Sequence, residues 1–299
     1  MRDPLNYRVN TGLNMAKKTE DGIKHPEEEL PLISHSDGEG LSRVRAVARA
    51  ISIIRAFTPE QSHLRLTEVA RKARLDAGTA RRLLVTLRDE GVIGQERRSG
   101  RYFLTIQILR WAAAVPDSKS LLDIAAPHLS VLANRIATTV FLSVMSENKA
   151  VCLACYQGST AVQVRWWSVG GTLPLNCGAA PRLLWAFQRE DLRERTLNEP
   201  FIALTPSSLI DRDEMRLQLA RIRRNGWCYT EDDVVEGLSA LAAPLRDAQG
   251  SVVAAVSLGG LRPLIANPEG KRPPPRVYSE LLACCRDISQ ELVRENHIS

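Results

Sequence analysis

Three short segments with apolar residues at helical spacing follow one another between residues 42 and 90. The first runs from Ser42 to about Phe57. The second begins near Thr67, a residue type suited to an N-cap, and ends near Leu75; the third covers 77–90 behind a predicted N-cap at Asp76. The inner face of the first helix is predicted to consist of Val44, Val47, Ala48, Ile51 and Ile54.

A hairpin is predicted directly after the third helix. Gly91 ends that helix, and the apolar residues of 92–93 and 102–105 are typical of two short strands. A basic turn that contains Gly100 joins them. Three helices and a hairpin predict a winged helix-turn-helix, in which residues 67–74 brace the reading helix 77–90.

Positive charge is concentrated in this same part of the chain. The net charge of the 299 residues is +6, yet residues 41–115 alone hold fifteen Lys and Arg against six Asp and Glu, whereas residues 1–40 are acidic and residues 116–299 are balanced. A basic block beside a neutral one is typical of a polyanion-binding module joined to a separate domain. The alternative is a basic face that only contacts solvent.

Ten residues of this block are candidate DNA contacts. Outward positions of the third helix can reach base edges in the major groove, which is wide enough for one helix. Gly78 would let backbone amides approach a phosphate, or else it marks a helix start without a ligand. Arginines of the turn are expected to follow the backbone or enter the minor groove. The candidates are Ala77, Gly78, Thr79, Arg81, Arg82, Val85, Arg88, Arg97, Arg98 and Arg101.

The rest of the chain predicts a larger domain of mixed helices and strands. Strands are predicted at 139–144, 150–156, 161–169, 238–245 and 251–258, and helices at 121–136, 179–189, 213–225 and 277–295. These helices cannot all be simple crossovers, which favours an α+β sandwich with an antiparallel sheet. The predicted organisation is a flexible tail at 1–40, the winged helix-turn-helix at 41–105, a linker helix at 106–119 and the second domain at 120–299.

Cysteine usage and hydropathy indicate the compartment. The six cysteines are irregularly spaced, which favours reduced thiols over a disulfide scaffold. Cys152 and Cys155 have metal-ligand spacing, but no second pair or nearby histidine completes four ligands. No stretch approaches the roughly 20 apolar residues of a membrane span, and the N-terminus lacks a signal-peptide pattern. We expect a cytoplasmic protein with no cofactor, no metal and no membrane partner.

Several motifs, in their order along the chain, resemble the IclR family of bacterial regulators. They include Leu66-Thr67-Glu68-Val69-Ala70, Thr79-Ala80-Arg81-Arg82-Leu83, Leu173-Pro174-Leu175-Asn176, Gly226-Trp227 and Ala242-Ala243-Pro244-Leu245, and the resemblance extends over about 42–292. It implies a GAF-like α/β effector-binding domain for small carboxylates or aromatic acids. It also implies homodimers, or tetramers made of two dimers, on double-stranded palindromic operator DNA.

The resemblance also implies where the effector binds. The segment after Leu175 corresponds to a helix start whose amides hold a carboxylate in relatives. The common pattern has His in place of Asn176, Gly-Lys in place of Pro181-Arg182, and an acidic pair that begins at the position of Thr230. The implied effector contacts are Asn176, Gly178, Ala179, Ala180, Thr230, Glu231, Leu238, Ala240 and Ser257; for Ala240 alone, ordinary sheet packing is the alternative.

Arg165, Trp166 and Trp167 are predicted to lie in a strand near the pocket mouth. Adjacent strand positions face opposite sides of a sheet, so at most one of the two tryptophans should line the pocket.

The sequence thus predicts a sequence-specific DNA-binding regulator that responds to a small molecule. One alternative is a ligand-independent DNA-binding protein whose second domain serves only oligomerisation. The other is an enzyme that uses Cys177, at a helix start, as its nucleophile. His128 is the one histidine well inside that domain, and the sequence places no evident acid partner beside it, so we expect no enzyme.

Overall fold

The computed structural model describes residues 44–58, 61–114, 118–159, 166–266 and 273–296. The N-terminal domain consists of α1 (Arg45–Arg55), α2 (Leu66–Lys72), α3 (Ala77–Asp89), β1 (Ile93–Gln95) and β2 (Tyr102–Leu104), in the predicted order. β1 and β2 pair antiparallel and form the wing. The tail predicted at 1–40 lies outside the described residues.

Local hydrogen bonds explain where α2 and α3 begin. The Asp76 carboxylate accepts the backbone N–H of Thr79 at 2.8 Å, which confirms the predicted cap of α3. The predicted cap of α2 is wrong, because Thr67 lies inside that helix. Arg65 occupies the N-cap position instead, and its N–H donates to the Glu68 carboxylate at 2.6 Å.

The core of the N-terminal domain lies between the three helices and the wing. Ile53 of α1, Val69 of α2 and Leu84 of α3 are fully buried there with Ile93 of β1. The predicted inner face of α1 is therefore wrong in part: Val44, Val47 and Ile51 are exposed, because α1 turns Ile53 and Ala56 toward α3.

The second domain is built on one six-stranded sheet with the order β5-β4-β3-β8-β7-β6. Every neighbouring pair is antiparallel, which confirms the predicted sheet type. The elements from the linker onward are α4 (Gln107–Ala112), α5 (Ser118–Ile136), β3 (Thr139–Ser146), β4 (Lys149–Gln157), β5 (Thr172–Pro174), α6 (Ala179–Ala186), α7 (Glu190–Leu197), α8 (Arg212–Asn225), β6 (Cys228–Glu231), β7 (Leu238–Arg246), β8 (Val252–Leu261), α9 (Arg262–Ile265) and α10 (Pro275–Asn296).

Helices cover both faces of this sheet. α5 and α10 pack on one face, where Leu142, Leu241 and Ile288 are buried, and we call it the α10 face. α6 and α8 pack on the other, where Phe141 and Trp185 are buried, and we call it the α6 face. Because successive strand residues alternate, Phe141 and Leu142 face opposite layers, and each strand contributes to two separate cores.

Four elements were not predicted, namely β5, α7, β6 and the four-residue α9. β5 and β6 have only three and four residues, which is too short for a clear alternation, and α7 is polar along most of its length. The strand predicted at 161–169 is wrong for residues 166–169, which form a loop; residues 160–165 are outside the described ranges.

Within the described ranges, no helix is both long and apolar enough to cross a membrane. Nor do these ranges bring three His, Cys, Asp or Glu side chains together in a group that could hold a metal ion, Cys152 and Cys155 included.

Candidate functional site

The outward face of α3 carries most of the candidate DNA contacts. Ala80 and Leu84 are fully buried and fix the orientation of the helix against the core. The solvent-facing side of the same turns exposes Ala77, Gly78, Arg81, Arg82, Val85 and Arg88. Thr79 is half-buried and gives its N–H to the cap. α3 therefore presents guanidinium groups and the apolar Val85 side chain on one accessible surface, as base-edge contact requires.

The wing adds a second cationic surface. Arg97 and Arg98 are exposed at the tip of the β1–β2 turn, and Arg101 is half-buried where β2 begins. The turn is held by a hydrogen bond from Gln95 Nε2 to the carbonyl of Gly100 at 2.9 Å and by one from the Arg101 N–H to Ser99 Oγ at 3.2 Å. A fixed turn presents its arginines to a phosphate backbone without first having to order them.

The double variant Arg97→Ala/Arg98→Ala tests the wing. Each phosphate contact that is lost should reduce the slope of log affinity against log salt by about 1, so we expect a decrease of about 2. Binding to random duplex DNA, titrated by fluorescence anisotropy over a range of salt concentrations, measures it. An unchanged slope would exclude phosphate contacts by the wing.

The start of α6, where the resemblance places an effector carboxylate, already holds a carboxylate of the chain itself. The N–H of Gly178 donates to Asp233 Oδ2 at 2.9 Å, and Arg182 Nη2 lies 2.7 Å from the same oxygen. Both charged side chains are only 5% exposed. Gly178 has a φ of +91°, a left-handed conformation that a residue with a Cβ adopts only with strain.

Asn176 takes part in the same hydrogen-bond network as Arg182. Its side-chain Nδ2 donates to the carbonyls of Ile202 and Leu209 at 2.7 and 3.2 Å, and its Oδ1 accepts the N–H of Ile202 at 3.3 Å. Arg182 Nε donates to the Asn176 carbonyl, and Nη1 donates to Gln218. Asn176 therefore fixes the chain around residues 202–209 and has its amide atoms occupied.

Most of the other predicted effector contacts come together on the α6 face. Strand register places Thr230 beside Ala240, and Ser257 beside Phe141. Leu238 shares the side of Ala240 by alternation, and Ala179 and Ala180 are buried in α6. Glu231 is not brought to this group. It follows Thr230 and lies on the α10 face, where it accepts a hydrogen bond from the hydroxyl of Tyr229.

Trp166 also lies with this group, although the sequence predicted only that it lies near the pocket mouth and did not name it as an effector contact. Its ring lies 5.1 Å from that of Phe141 and is stacked on Trp167 at 5.8 Å. A Cβ on Gly259 would come within 2.8 Å of it, so the indole rests on the sheet where that strand has no side chain. The prediction that at most one of the two tryptophans lines the pocket assumed a strand, but this segment is a loop, and both rings lie near Phe141.

Comparison with known proteins decides the family. Residues 113–290 match the family of bacterial transcriptional regulator IclR C-terminal domains, and residues 46–97 match the IclR helix-turn-helix domain. The chain belongs to the IclR family. It is thus a helix-turn-helix DNA-binding transcriptional regulator with an IclR effector domain.

Similar proteins match more than four fifths of the chain. The Pca operon regulatory protein of Acinetobacter baylyi is 26% identical over 247 residues, which are 81% of this chain and 86% of that one. The crystal structure of Pseudomonas aeruginosa HmgR, 26% identical, matches with a TM-score of 0.66 over 84% of this chain and all of that one. An IclR homolog from Microbacterium hydrocarbonoxydans, complexed with 4-hydroxybenzoate, matches at 22% identity with a TM-score of 0.72 over 83% and 98%.

Cys177 of this IclR-family protein has the environment of a structural thiol. Burial, together with the nearby Asp233 carboxylate, raises the pKa of the thiol to about 11, and Sγ donates to the carbonyl of Ile202. His128 does have an acid partner, contrary to the sequence prediction, since its Nε2 lies 3.0 Å from Glu291 of α10. That pair belongs to the α5–α10 layer, whereas Cys177 directly precedes α6, so the sheet separates the two groups.

Labelling with iodoacetamide at pH 8 tests whether Cys177 is an unreactive structural thiol. A thiol with a pKa near 11 is almost wholly protonated there, and only the thiolate reacts. We expect mass spectrometry to find Cys177 unmodified in the folded protein and modified in urea. Rapid modification of native Cys177 would show an activated nucleophile and reopen the enzymatic alternative.

Proposed function

We propose that this protein binds one operator sequence through α3 and the wing, and that a small-molecule effector on the α6 face of the sheet changes its affinity for that operator. The observation that carries the proposal is the outward face of α3, where Arg81, Arg82 and Arg88 surround Val85. Guanidinium pairs read guanine, and an apolar side chain reads the thymine methyl group.

The effector part rests on the buried polar groups around Thr230 and on what the relatives' names say. One solved relative holds 4-hydroxybenzoate, and another relative is named for the Pca operon. Aromatic acids and their neutral analogues are therefore the first compounds to screen. This response, and not the fold, distinguishes the proposal from a ligand-independent DNA-binding protein.

We also propose that the protein acts in the cytoplasm as a homodimer or as a tetramer of two dimers. Support comes from large apolar side chains left exposed at the starts of two helices: Val44, the N-cap of α1, with Val47, and Ile106, the N-cap of α4, with Leu109. Two copies that cover these surfaces would present two reading helices to a palindromic operator. The proposed boundaries stay at 41–105 for the DNA-binding domain, 106–119 for the linker and 120–299 for the effector domain.

Arg82→Ala tests operator reading. Loss of one bidentate base contact should weaken operator binding about 10- to 100-fold, since such a contact contributes about 1–3 kcal/mol of discrimination. The melting temperature should not change, because Arg82 is exposed. Arg224→Ala, which removes an exposed arginine of α8, is the matched control and should bind like the wild type. Equal losses in both variants would contradict a reading role for α3.

A thermal-shift screen followed by operator titration tests the effector response. A ligand at 100 times its dissociation constant adds about 2.7 kcal/mol to the free energy of unfolding. The expected result is at least one compound that raises the melting temperature and also changes operator affinity. A compound that stabilises the protein without any effect on operator binding would not support regulation.

A further inference from the structure

A groove formed by α7 and α8 has a volume of about 580 Å³, which is in the range of small-molecule sites. Leu197 of α7 and Leu219 of α8 line it and are themselves buried, so its base is apolar. The groove shares no residue with the predicted effector contacts. Its lining consists of Arg193, Glu194, Leu197, Arg216, Leu219, Ala220, Arg223 and Arg224.

Positive charge dominates this groove. Four of the eight lining residues are arginines, and Glu194 is the one carboxylate among the eight. A cleft lined by charges of one sign focuses its field and raises the local concentration of ions of the opposite sign. Guanidinium groups bind phosphate and carboxylate through paired N–H donors. The lining therefore suits a ligand with an apolar body and more than one negative charge.

Two of the four arginines are held in place at the end of α6. Arg223 Nη1 donates to the carbonyl of Ala186, the last residue of α6, at 3.2 Å. Arg193 Nη1 donates to the carbonyl of Gln188 at 3.3 Å, and its Nη2 lies 3.9 Å from the exposed carboxylate of Glu190. A guanidinium has five N–H donors, so both groups keep donors for a ligand. Because the chain already orients these two groups, a ligand would not have to order them.

The other two arginines are open to solvent. Arg224 is exposed and forms no side-chain hydrogen bond or ion pair with other described residues. Arg216 lies 3.2 Å from Glu194 and 3.0 Å from Asp213, but about half of its side chain is exposed. Ion pairs as exposed as these contribute little to stability, so an anion in the groove can replace them.

We propose that the groove of α7 and α8 is a second ligand site, which binds a small organic compound with an apolar body and two negative charges. The four arginines bind the charges, and the apolar base contacts the body. The site goes beyond the proposed function and does not depend on it. It adjoins the end of α6, eight residues or about 12 Å from the helix start where the effector contacts are predicted.

Two naphthalene compounds test the class of ligand. 1-Naphthyl phosphate and naphthalene-1,4-dicarboxylate are both dianions at pH 7.5, and they distinguish a phosphate ligand from a dicarboxylate. We expect isothermal titration calorimetry at low salt to detect saturable binding of at least one of them, with one molecule per chain. Neutral 1-naphthol, which has the same apolar body, should not bind.

A pair of double variants tests whether the groove arginines bind the charges. Arg216→Gln/Arg224→Gln should weaken binding of the dianion at least tenfold. Arg212→Gln/Arg221→Gln removes the same charge from exposed positions of α8 outside the groove, and it should bind the dianion like the wild type. Because all four positions are exposed, both variants should keep the melting temperature of the wild type.

A steric variant tests the location without a change in charge. Ala220 is exposed and lines the groove, so the indole of Ala220→Trp would fill the space and should abolish binding of the dianion. Leu217→Trp makes a similar change at an exposed position of α8 outside the groove, and it should leave binding unchanged.

Failure of both dianions to bind, equal losses in the two double variants, or binding that survives Ala220→Trp would each overturn the proposal. The last result would place the compound elsewhere, for example at the start of α6. Random duplex DNA is titrated against the same double variants. A loss of DNA binding in Arg216→Gln/Arg224→Gln alone would assign the groove to nucleic acid and overturn the small-molecule site.

Discussion

Arg182→Met is expected to destabilise the protein by about 3–5 kcal/mol, the usual cost of removing one partner from a buried ion pair. The substitution leaves the Asp233 charge in a site that is 5% exposed, and it also removes donors to Asn176 and Gln218. Urea denaturation measures the loss. Arg189→Met is the matched control, because the Arg189–Asp191 pair is 79% and 59% exposed and should contribute less than about 1 kcal/mol.

A double variant separates the charge from the packing. Replacement of both members of a buried ion pair by apolar residues of similar size is often nearly neutral. Arg182→Met/Asp233→Leu should therefore unfold closer to the wild type than Arg182→Met does. If the effects of the two single substitutions simply add in the double variant, the pair is not coupled and the account of this site fails.

Val85→Glu is expected to weaken operator binding by about 100-fold or more, because like-charge juxtaposition across an interface costs several kcal/mol. Val85 is 37% exposed on the outward face of α3, so the carboxylate introduced by the substitution would enter the groove against the DNA phosphates. Val253→Glu makes the same change at a residue 40% exposed on β8 and should leave operator binding unchanged. An operator affinity within threefold of the wild type for Val85→Glu would rule out groove insertion of this helix.

The DNA-binding domain could be predicted closely because its signals are local. The Asp76 cap and the apolar spacing of Ala80 and Leu84 lie within one helix, and they determine which arginines face outward. The error on α1 has a physical cause. Periodicity finds an apolar stripe but does not say whether the same chain covers it, and Val44, Val47 and Ile51 are left uncovered.

The effector site could be predicted only in outline, because its decisive contacts join residues far apart in sequence. The resemblance located the start of α6, but the Gly178–Asp233 hydrogen bond spans 55 positions, and nothing local indicates it. The Glu231 assignment came from motif position, and strand alternation turns that side chain to the other face. The rings of Trp166 and Trp167 stack on each other because the two residues lie in a loop, where successive side chains do not alternate as they do in a strand.

The most direct test of the account is a comparison of two DNA fragments at physiological salt. One is the genomic fragment that the purified protein enriches most strongly, and the other is the same fragment with its sequence shuffled. We expect an affinity at least about 1,000-fold higher for the genomic fragment, and the loss of most of this ratio in Val85→Glu. Equal affinity for both fragments would contradict sequence-specific regulation by this protein.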